Sequence, residues 1–235
     1  MALGNKTLND LLDPISKQLD HYGVAESVAM PDWEFKPQRV TDGLAHDQLV
    51  KMFIDEAAKI RVTTHRCVKG DLAKCIGDIV ASGTPENGDE CSVVCADDER
   101  FSAGDLASAL KRRKRVTDVH VWDEKLGQQN VDAAFVATYG ITYATAGIAE
   151  SATVVQPTSP QCGRAISLLP LVHIAVVDAS TIQPTMLEVM QDLGNDGKLP
   201  SQVCFISGPS ATADIELVRV EGVHGPMYVH YVIVE

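Results

Sequence analysis

What this sequence lacks narrows its class before any motif is considered. No apolar run approaches the ~20 residues that a membrane-spanning helix needs, and the apolar stretch near the N-terminus is too short for a secretion signal. An excess of basic residues is also missing, because the net charge is −12 over 235 residues. A strongly acidic balance argues against binding to nucleic acid or to anionic membranes. These absences predict a cytoplasmic protein with no membrane span and no nucleic-acid partner.

The cysteines lack the spacing of a cluster or metal site. The chain has 6 of them, with no C-x-x-C pair and no ferredoxin-type run. Cys91 and Cys95 flank a predicted buried strand, on which residues four apart are separated by about 13 Å at ~3.3 Å per residue, too far to share a metal. The sequence therefore predicts buried free thiols, no metal site, no cofactor and no iron–sulfur cluster held by this chain.

The hydrophobic patterns that are present predict an α/β fold. Helical spacing over residues 3–20 indicates an N-terminal helix, and residues 24–43 have no period. From residue 46 onward, strands alternate with helices, and the nearly all-apolar strand over 172–180 is typical of a parallel strand covered on both faces. We expect an N-terminal helix and irregular arm over 1–45, and a three-layer αβα domain with a central, mostly parallel sheet over 46–235.

The predicted helices and strands determine where polar residues lie relative to the ends of the strands. We expect a helix over 102–115 that ends in the basic run Lys111–Arg115, and a helix over 130–140. Residues 143–157 read as two strands that meet at a turn, and residues 203–207 as a further strand.

Polar residues that follow strands are candidates for a site, because ligands in open α/β sheets bind outside the carboxyl ends of the strands. After the strand over 203–207 come Gly208, which permits close backbone approach, and Ser210 and Thr212, either of which suits the N-cap of a short helix through Glu216. Such a terminus binds phosphate or carboxylate. The alternative is a capped turn that binds nothing.

Three further positions have side chains suited to chemistry. Glu150 ends one apolar segment and precedes another, which fits a nucleophile or general base and equally fits a turn glutamate in solvent. Arg164 follows a Pro/Ser/Gly-containing loop and suits a planar anion. His224 lies in a predicted sharp turn before Pro226, whereas His173, inside an apolar strand, is expected to be a core histidine.

Four segments of the C-terminal half resemble the LUD-domain family, specifically the lactate utilization protein C family: YATAGIAESATVV, GRAISLLPLVHIAVV, SGPSATADIE and GVHGPMYVHYVIVE. The resemblance implies a fold like that of ribose-5-phosphate isomerases and CoA transferases. It also implies a bacterial cytoplasmic protein that oxidises L-lactate to pyruvate together with two iron–sulfur partners. This chain has Ala211 and Met227 where the family usually or often has arginine, so two cations near the expected pocket are absent.

Together these features predict a polar pocket at the strand ends that binds a small organic anion. Glu150 and His224 are the expected catalytic residues. The expected ligand-binding residues are Arg164, Ser207, Gly208, Ser210, Thr212, Asp214, Glu216 and Gly225. Two other functions stay open: a non-catalytic assembly or regulatory subunit, and a CoA transferase-like enzyme in which Glu150 forms a glutamyl thioester.

Overall fold

The computed structural model describes residues 38–84, 90–102, 105–195, 200–213 and 219–235, together with positions 14, 17 and 18, which are helical. The predictions for the rest of the first 37 residues lie outside the described residues. A compact unit extends over Val40–Glu235. None of the helices in the described part of the chain has the length and apolar character that a bilayer span requires.

Helices and strands alternate along this unit, as the sequence predicts. The helices are α1 (His46–Lys59), α2 (Leu72–Ser82), α3 (Glu99–Ser102), α4 (Leu106–Lys111), α5 (Gln128–Val136), α6 (Ala165–Leu168) and α7 (Met186–Asn195). The strands are β1 (Val62–Cys67), β2 (Cys91–Cys95), β3 (Val116–Val121), β4 (Tyr139–Tyr143), β5 (Ala146–Ile148), β6 (Thr153–Pro157), β7 (Val172–Asp178), β8 (Ile182–Gln183), β9 (Val203–Ile206), β10 (Ala211–Ala213), β11 (Arg219–Glu221) and β12 (Tyr228–Val234).

A 6-stranded parallel sheet in the order β1-β12-β7-β4-β2-β3 forms the centre of the unit. Alternate residues of its strands enter two separate cores. On β7, Ile174 and Val176 pack in the core that includes α2 and α4, while Ala175 and Val177 pack in the core that includes α1. Both faces of the sheet are therefore covered, which explains the nearly continuous apolar run of this strand. The predicted central parallel sheet is confirmed.

A second sheet, which the sequence did not predict, lies on the α1 side of the central sheet. It has 4 strands in the order β8-β5-β6-β9, with β6 antiparallel to both β5 and β9. Val154 of β6 shares a core with Phe53 of α1 and Tyr231 of β12. The strand predicted over 203–207 therefore belongs to this second sheet, and the two strands predicted over 143–157 do meet at a turn as β5 and β6.

Two predicted helices are shorter than expected. The helix over 102–115 is replaced by α3 and α4, and the basic run continues beyond α4, where Arg113 forms an ion pair with Asp78 at 2.9 Å. The helix over 130–140 ends at Val136, because the chain enters the central sheet at Tyr139. Tertiary pairing of β4 between β2 and β7 outweighs the local helical pattern there.

The start of β4 requires glycine because α6 approaches its backbone closely. An ideal Cβ at Gly140 would lie 1.9 Å from the carbonyl oxygen of Ile166, a backbone atom that has little freedom to move away. We therefore expect Gly140→Ala to lower the free energy of unfolding by about 1–3 kcal/mol, as measured by urea denaturation. Gly70→Ala is the control, since a Cβ there meets nothing within 4 Å. Equal stability of the two variants would contradict the predicted clash.

Candidate functional site

The topology of the central sheet defines one crevice at its carboxyl edge. The connection after β2 leads to β3 on one side, whereas the connection after β4 leads towards β7 on the other side, and β2 and β4 are neighbours. Such a switch point is where doubly wound sheets bind their ligands. Four polar residues lie there and form what we call the switch-point cluster: Asp98, Arg100, Tyr143 and Asp178.

Hydrogen bonds and ring stacking hold the switch-point cluster together. Arg100 donates from Nε and Nη2 to the two carboxylate oxygens of Asp98, at 2.8 and 2.7 Å. Its guanidinium lies 3.6 Å from the centre of the Tyr143 ring. The Tyr143 hydroxyl donates to Asp178 Oδ1 at 2.7 Å, and Arg100 Nη1 lies 3.6 Å from the other oxygen of Asp178. The strand ends thus present one cation fixed in position by three neighbours.

The protonation states follow from these contacts. Burial raises the pKa of Tyr143 above its usual value and the hydrogen bond to Asp178 adds to this, so the phenol acts as a donor rather than a base. Burial opposes charge on both Asp98 and Arg100, but their mutual hydrogen bonds outweigh it. The pKa of Asp98 is lowered and that of Arg100 is raised. Both groups are therefore ionised at neutral pH.

A cavity of about 310 Å³ adjoins this cluster, between the start of α2 and the segment that follows β2. We call it the Lys69–Arg100 cavity. Its wall consists of Lys69, Gly70, Leu72, Ala73, Arg100, Phe101 and Leu106. The sequence interpretation missed this site, although the charged run from Asp97 to Arg100, one residue after the apolar strand CSVVC, is a signal that could have identified it.

One of the sequence-predicted site residues, Ser207, joins two other hydroxyl residues at one end of the second sheet. The Thr153 hydroxyl lies 2.7 Å from the Ser151 hydroxyl and 2.6 Å from the Ser207 hydroxyl, which forms a chain of three hydroxyl groups. Antiparallel pairing of β6 with β9 brings Ser207 to this position. Glu150 is exposed and lies in the 3-10 turn Ala149–Ser151, directly before the Ser151 hydroxyl of this group of three.

A second group of predicted residues lies near the amino end of β12. The Ser210 amide donates to the Pro226 carbonyl at 2.9 Å, and the Gly222 amide donates to the Ser210 carbonyl at 2.9 Å. A Cβ at Gly225 would lie 3.1 Å from that of Ser210, and His224 beside it is exposed. These residues precede β12, so the predicted location at the carboxyl edge of the sheet is wrong for them.

The prediction of a short helix after Ser210 is also wrong for the residues of this segment that the structure describes. Residues Ala211–Ala213 form β10, and Thr212 pairs with Val220 of β11. Cross-strand hydrogen bonds replace the expected N-cap. Asp214 and Glu216 lie outside the described residues.

Arg164 is held apart from the hydroxyl chain. It is exposed, and its Nη1 donates to Gln202 Oε1 at 2.7 Å. Gln202 precedes β9 and Ser207 follows it, and five steps of extended chain cover about 17 Å at ~3.3 Å per residue. The structure therefore does not bring Arg164 to Ser207. Instead Arg164 lines an apolar cavity of about 640 Å³ that also includes Trp122.

Gly208 makes the close backbone approach that was expected, but towards the protein itself. Its φ is 82°, its amide donates to the Tyr231 hydroxyl at 3.3 Å, and a Cβ would lie 2.8 Å from the Ile60 carbonyl oxygen. His173 is fully buried, with Nε2 2.9 Å from the Thr142 hydroxyl, as expected of a core histidine.

The thiols are held in their protonated form where they are buried. Cys91, Cys95 and Cys162 are buried and the other cysteines are partly buried. Burial raises the pKa of Cys95 and of Cys162 to about 12. Among the described residues, no group of three or more His, Cys, Asp or Glu side chains is arranged to hold a metal ion.

The fold and the crevice define a doubly wound α/β protein with a polar cluster at its topological switch point. More narrowly, the chain belongs to the LUD domain family, whose model matches residues 50–234. It is 34% identical over 232 residues to a lactate utilization protein C of Geobacillus kaustophilus, which covers 95% of this chain and 94% of that protein.

Other relatives agree with this assignment. A lactate utilization protein C of Halalkalibacterium halodurans is 35% identical over 229 residues, covering 95% of this chain and 96% of the relative. The crystal structure of a DUF162 family protein from Deinococcus radiodurans superimposes with a TM-score of 0.56 at 18% identity, over 82% of this chain and 99% of that one. At this identity the likeness concerns the fold alone.

Proposed function

We propose that this protein is a cytoplasmic component of a bacterial lactate-utilization system and takes part in the oxidation of L-lactate to pyruvate. The observation that carries the proposal is the length of the similarity to proteins named lactate utilization protein C. At 34–35% identity it covers about 95% of this chain and 94–96% of those relatives. The similarity therefore extends over nearly the full length of this chain and of those relatives.

We assign electron transfer to iron–sulfur partner subunits. Oxidation of lactate releases electrons that must pass to an acceptor. The cysteine spacing offers no ligand set for a cluster, and the raised pKa of the buried thiols disfavours the thiolate form that ligates iron. In this proposal the chain binds the small organic anion at its strand ends, and the partners accept the electrons.

Two places in the fold support anion binding. The switch-point cluster presents Arg100 at the edge of the sheet where ligands of this architecture bind. The hydroxyl chain beside Glu150 offers hydrogen bonds at the end of the second sheet. Glu150 and His224 remain our proposed catalytic residues, since both side chains are exposed and so accessible from solvent.

We expect Glu150→Gln to lower lactate-dependent activity of the assembled system at least about a hundredfold, the lower end of the range for loss of a general base. Thermal stability should change little because Glu150 is exposed. The test is lactate-dependent dye reduction after co-purification with candidate iron–sulfur partners. Glu124→Gln is the matched control, because Glu124 is also an exposed glutamate in a 3-10 turn. A complete system that oxidises no lactate contradicts the proposed function.

A second candidate function, a non-catalytic assembly subunit, is favoured by exposed apolar side chains on α5 and at the C-terminal end of α6. Phe135 and Val136 are 74% and 71% exposed, and Leu168 and Leu169 are also exposed. Apolar surface of this kind marks sites of protein association. Full activity of Glu150→Gln, combined with loss of partner binding on Phe135→Ser, would make this the better interpretation.

A further inference from the structure

The wall of the Lys69–Arg100 cavity differs in charge from the rest of the molecule. The protein has a net charge of −12, yet the side chains that line this cavity include two cations and no carboxylate. The other side chains of the wall are apolar. Asp98 and Asp178 lie beside Arg100 and offset its charge, so Lys69 supplies the net positive charge that attracts an anion to this cavity.

Lys69 and Arg100 each have N–H groups available to donate a hydrogen bond to a ligand. Nε and Nη2 of Arg100 are engaged by Asp98, but Nη1 lies 3.6 Å from Asp178, which is beyond hydrogen-bond distance. The Nη1 hydrogens therefore stay available. Lys69 is exposed and forms no salt bridge with any residue that the structure describes, so its ammonium group contributes most of the uncompensated charge.

The size of the cavity limits what it can hold. Its volume of about 310 Å³ is at the low end of the ~300–1,000 Å³ usual for ligand pockets, which favours a ligand of few atoms. Leu72, Phe101 and Leu106 form an apolar side on which a methyl or short alkyl group packs. The wall thus suits a small molecule that carries an anionic group at one end and an apolar group at the other.

We infer that the Lys69–Arg100 cavity binds a short-chain monocarboxylic acid, with its carboxylate between Lys69 and Arg100 and its alkyl group against Leu72 and Phe101. Asp98 acts as a positioning residue, since its two hydrogen bonds fix the guanidinium plane. The choice of three-carbon acids as the best ligands rests on the proposed function. Binding of a carboxylate as such rests only on the cavity.

Calorimetric or saturation-transfer NMR titrations of the purified full chain with L-lactate, pyruvate, acetate and inorganic phosphate test this inference. We expect saturable binding of the carboxylates that weakens as ionic strength rises. Lys69→Met should weaken binding about tenfold, as expected for loss of a charge-assisted contact, and Lys69→Arg should restore most of it. Arg100→Gln should weaken it further, and its thermal melting shows whether the variant is folded.

Lys74→Met is the matched control, because Lys74 is an exposed lysine of α2 that pairs with Asp78 rather than lining the cavity. Three results would overturn the inference: no saturable carboxylate binding to the unmodified chain, equal weakening by Lys69→Met and Lys74→Met, or tighter binding of phosphate than of any acid. Binding that is lost in Ser207→Ala but retained in Lys69→Met would also overturn it, by locating the ligand at the hydroxyl chain.

The same experiments separate this inference from the proposed function. If acetate and lactate bind through Lys69 but the assembled system oxidises no lactate, the carboxylate site stands and the lactate role fails. If the system oxidises lactate and the cavity binds no carboxylate, the lactate role stands and this inference fails.

Discussion

Acidification from neutral pH to about pH 4 is expected to cost the fold about 3 kcal/mol for each of two histidines, His173 and His230. Burial lowers the pKa of each from 6.5 to about 4. His173 lies at the centre of the fold against Thr142, and its Nδ1 has no hydrogen-bond partner among the described residues. A proton added there would place an unpaired charge in the core.

His230 is partly buried and is also opposed by a second imidazole. His65 Nε2 lies 3.0 Å from His230 Nδ1, and the two rings stack with their centres 5.3 Å apart. After burial, repulsion from a protonated His65 is the next cause that lowers the pKa of His230, and burial lowers that of His65 as well. The pair therefore favours one shared hydrogen bond between neutral rings over two adjacent cations.

The sign of the pH dependence follows from these directions. Above pH 6.5 the histidines are neutral in both the folded and the unfolded chain, and the stability is fully present. Between pH 6.5 and about 4 the unfolded chain binds more protons than the folded one, so stability falls as the pH falls. At still lower pH, protonation of Asp98 removes its favourable pairing with Arg100 as well.

Urea denaturation at a series of pH values measures this dependence through the fitted free energy of unfolding. His230→Gln should flatten the decline, because the new side chain does not titrate in this range. His46→Gln is the control, since His46 is exposed and its Nε2 lies 3.0 Å from the Ala179 carbonyl oxygen. A decline of the same steepness in both variants would show that another group is responsible.

Tyr231→Ala is expected to lower the free energy of unfolding by about 3–5 kcal/mol, the range for removal of a large buried aromatic side chain. Tyr231 is fully buried and stacks on Phe53 of α1 with ring centres 5.4 Å apart. Its hydroxyl donates to the Ile206 carbonyl at 2.8 Å and accepts from the Gly208 amide at 3.3 Å. One side chain of the central sheet thus contacts both α1 and the second sheet.

The variant Tyr231→Phe separates the contribution of the Tyr231 hydroxyl to stability from that of its aromatic ring. The ring and its stacking are kept, while the Ile206 carbonyl and the Gly208 amide lose their partner, so we expect a loss of about 1–3 kcal/mol. Denaturant unfolding of the two variants measures the contribution of the ring and that of the hydroxyl to the free energy of unfolding. Amide exchange of β9 shows whether the loss of the hydroxyl loosens the second sheet. If Tyr231→Phe were as stable as the unmodified chain, the hydroxyl would not help to hold the second sheet in place.

The local features of the fold were accessible from sequence because they depend on local chemistry. Helix α2 ends at Gly83 with φ 71°, as the glycine in the sequence predicts. The apolar run of β7 predicted a strand covered on both faces, and the structure places this strand in the middle of a parallel sheet. The four motif segments also indicated the family that the comparisons confirm.

The site was harder to predict because each polar residue was assigned to the end of the strand that it follows. Ser210 and His224 follow strands in sequence, but those strands are outside the central sheet, so the residues lie near the amino end of β12. Arg164 was expected near Glu150, yet it is bonded to Gln202 at the other end of β9 from Ser207. Local sequence contains no information on the sheet that a strand joins.

The sequence by itself determined the class of fold, the acidic surface and the scattered thiols, because periodicity, charge and spacing are properties of the chain. Only the tertiary structure decided that Asp98, Arg100, Tyr143 and Asp178 meet, although they come from three segments of the chain. Their meeting depends on β2 and β4 becoming neighbours whose connections leave in opposite directions. That arrangement results from long-range strand pairing, which is selected by burial of both sheet faces and not by any local residue pattern.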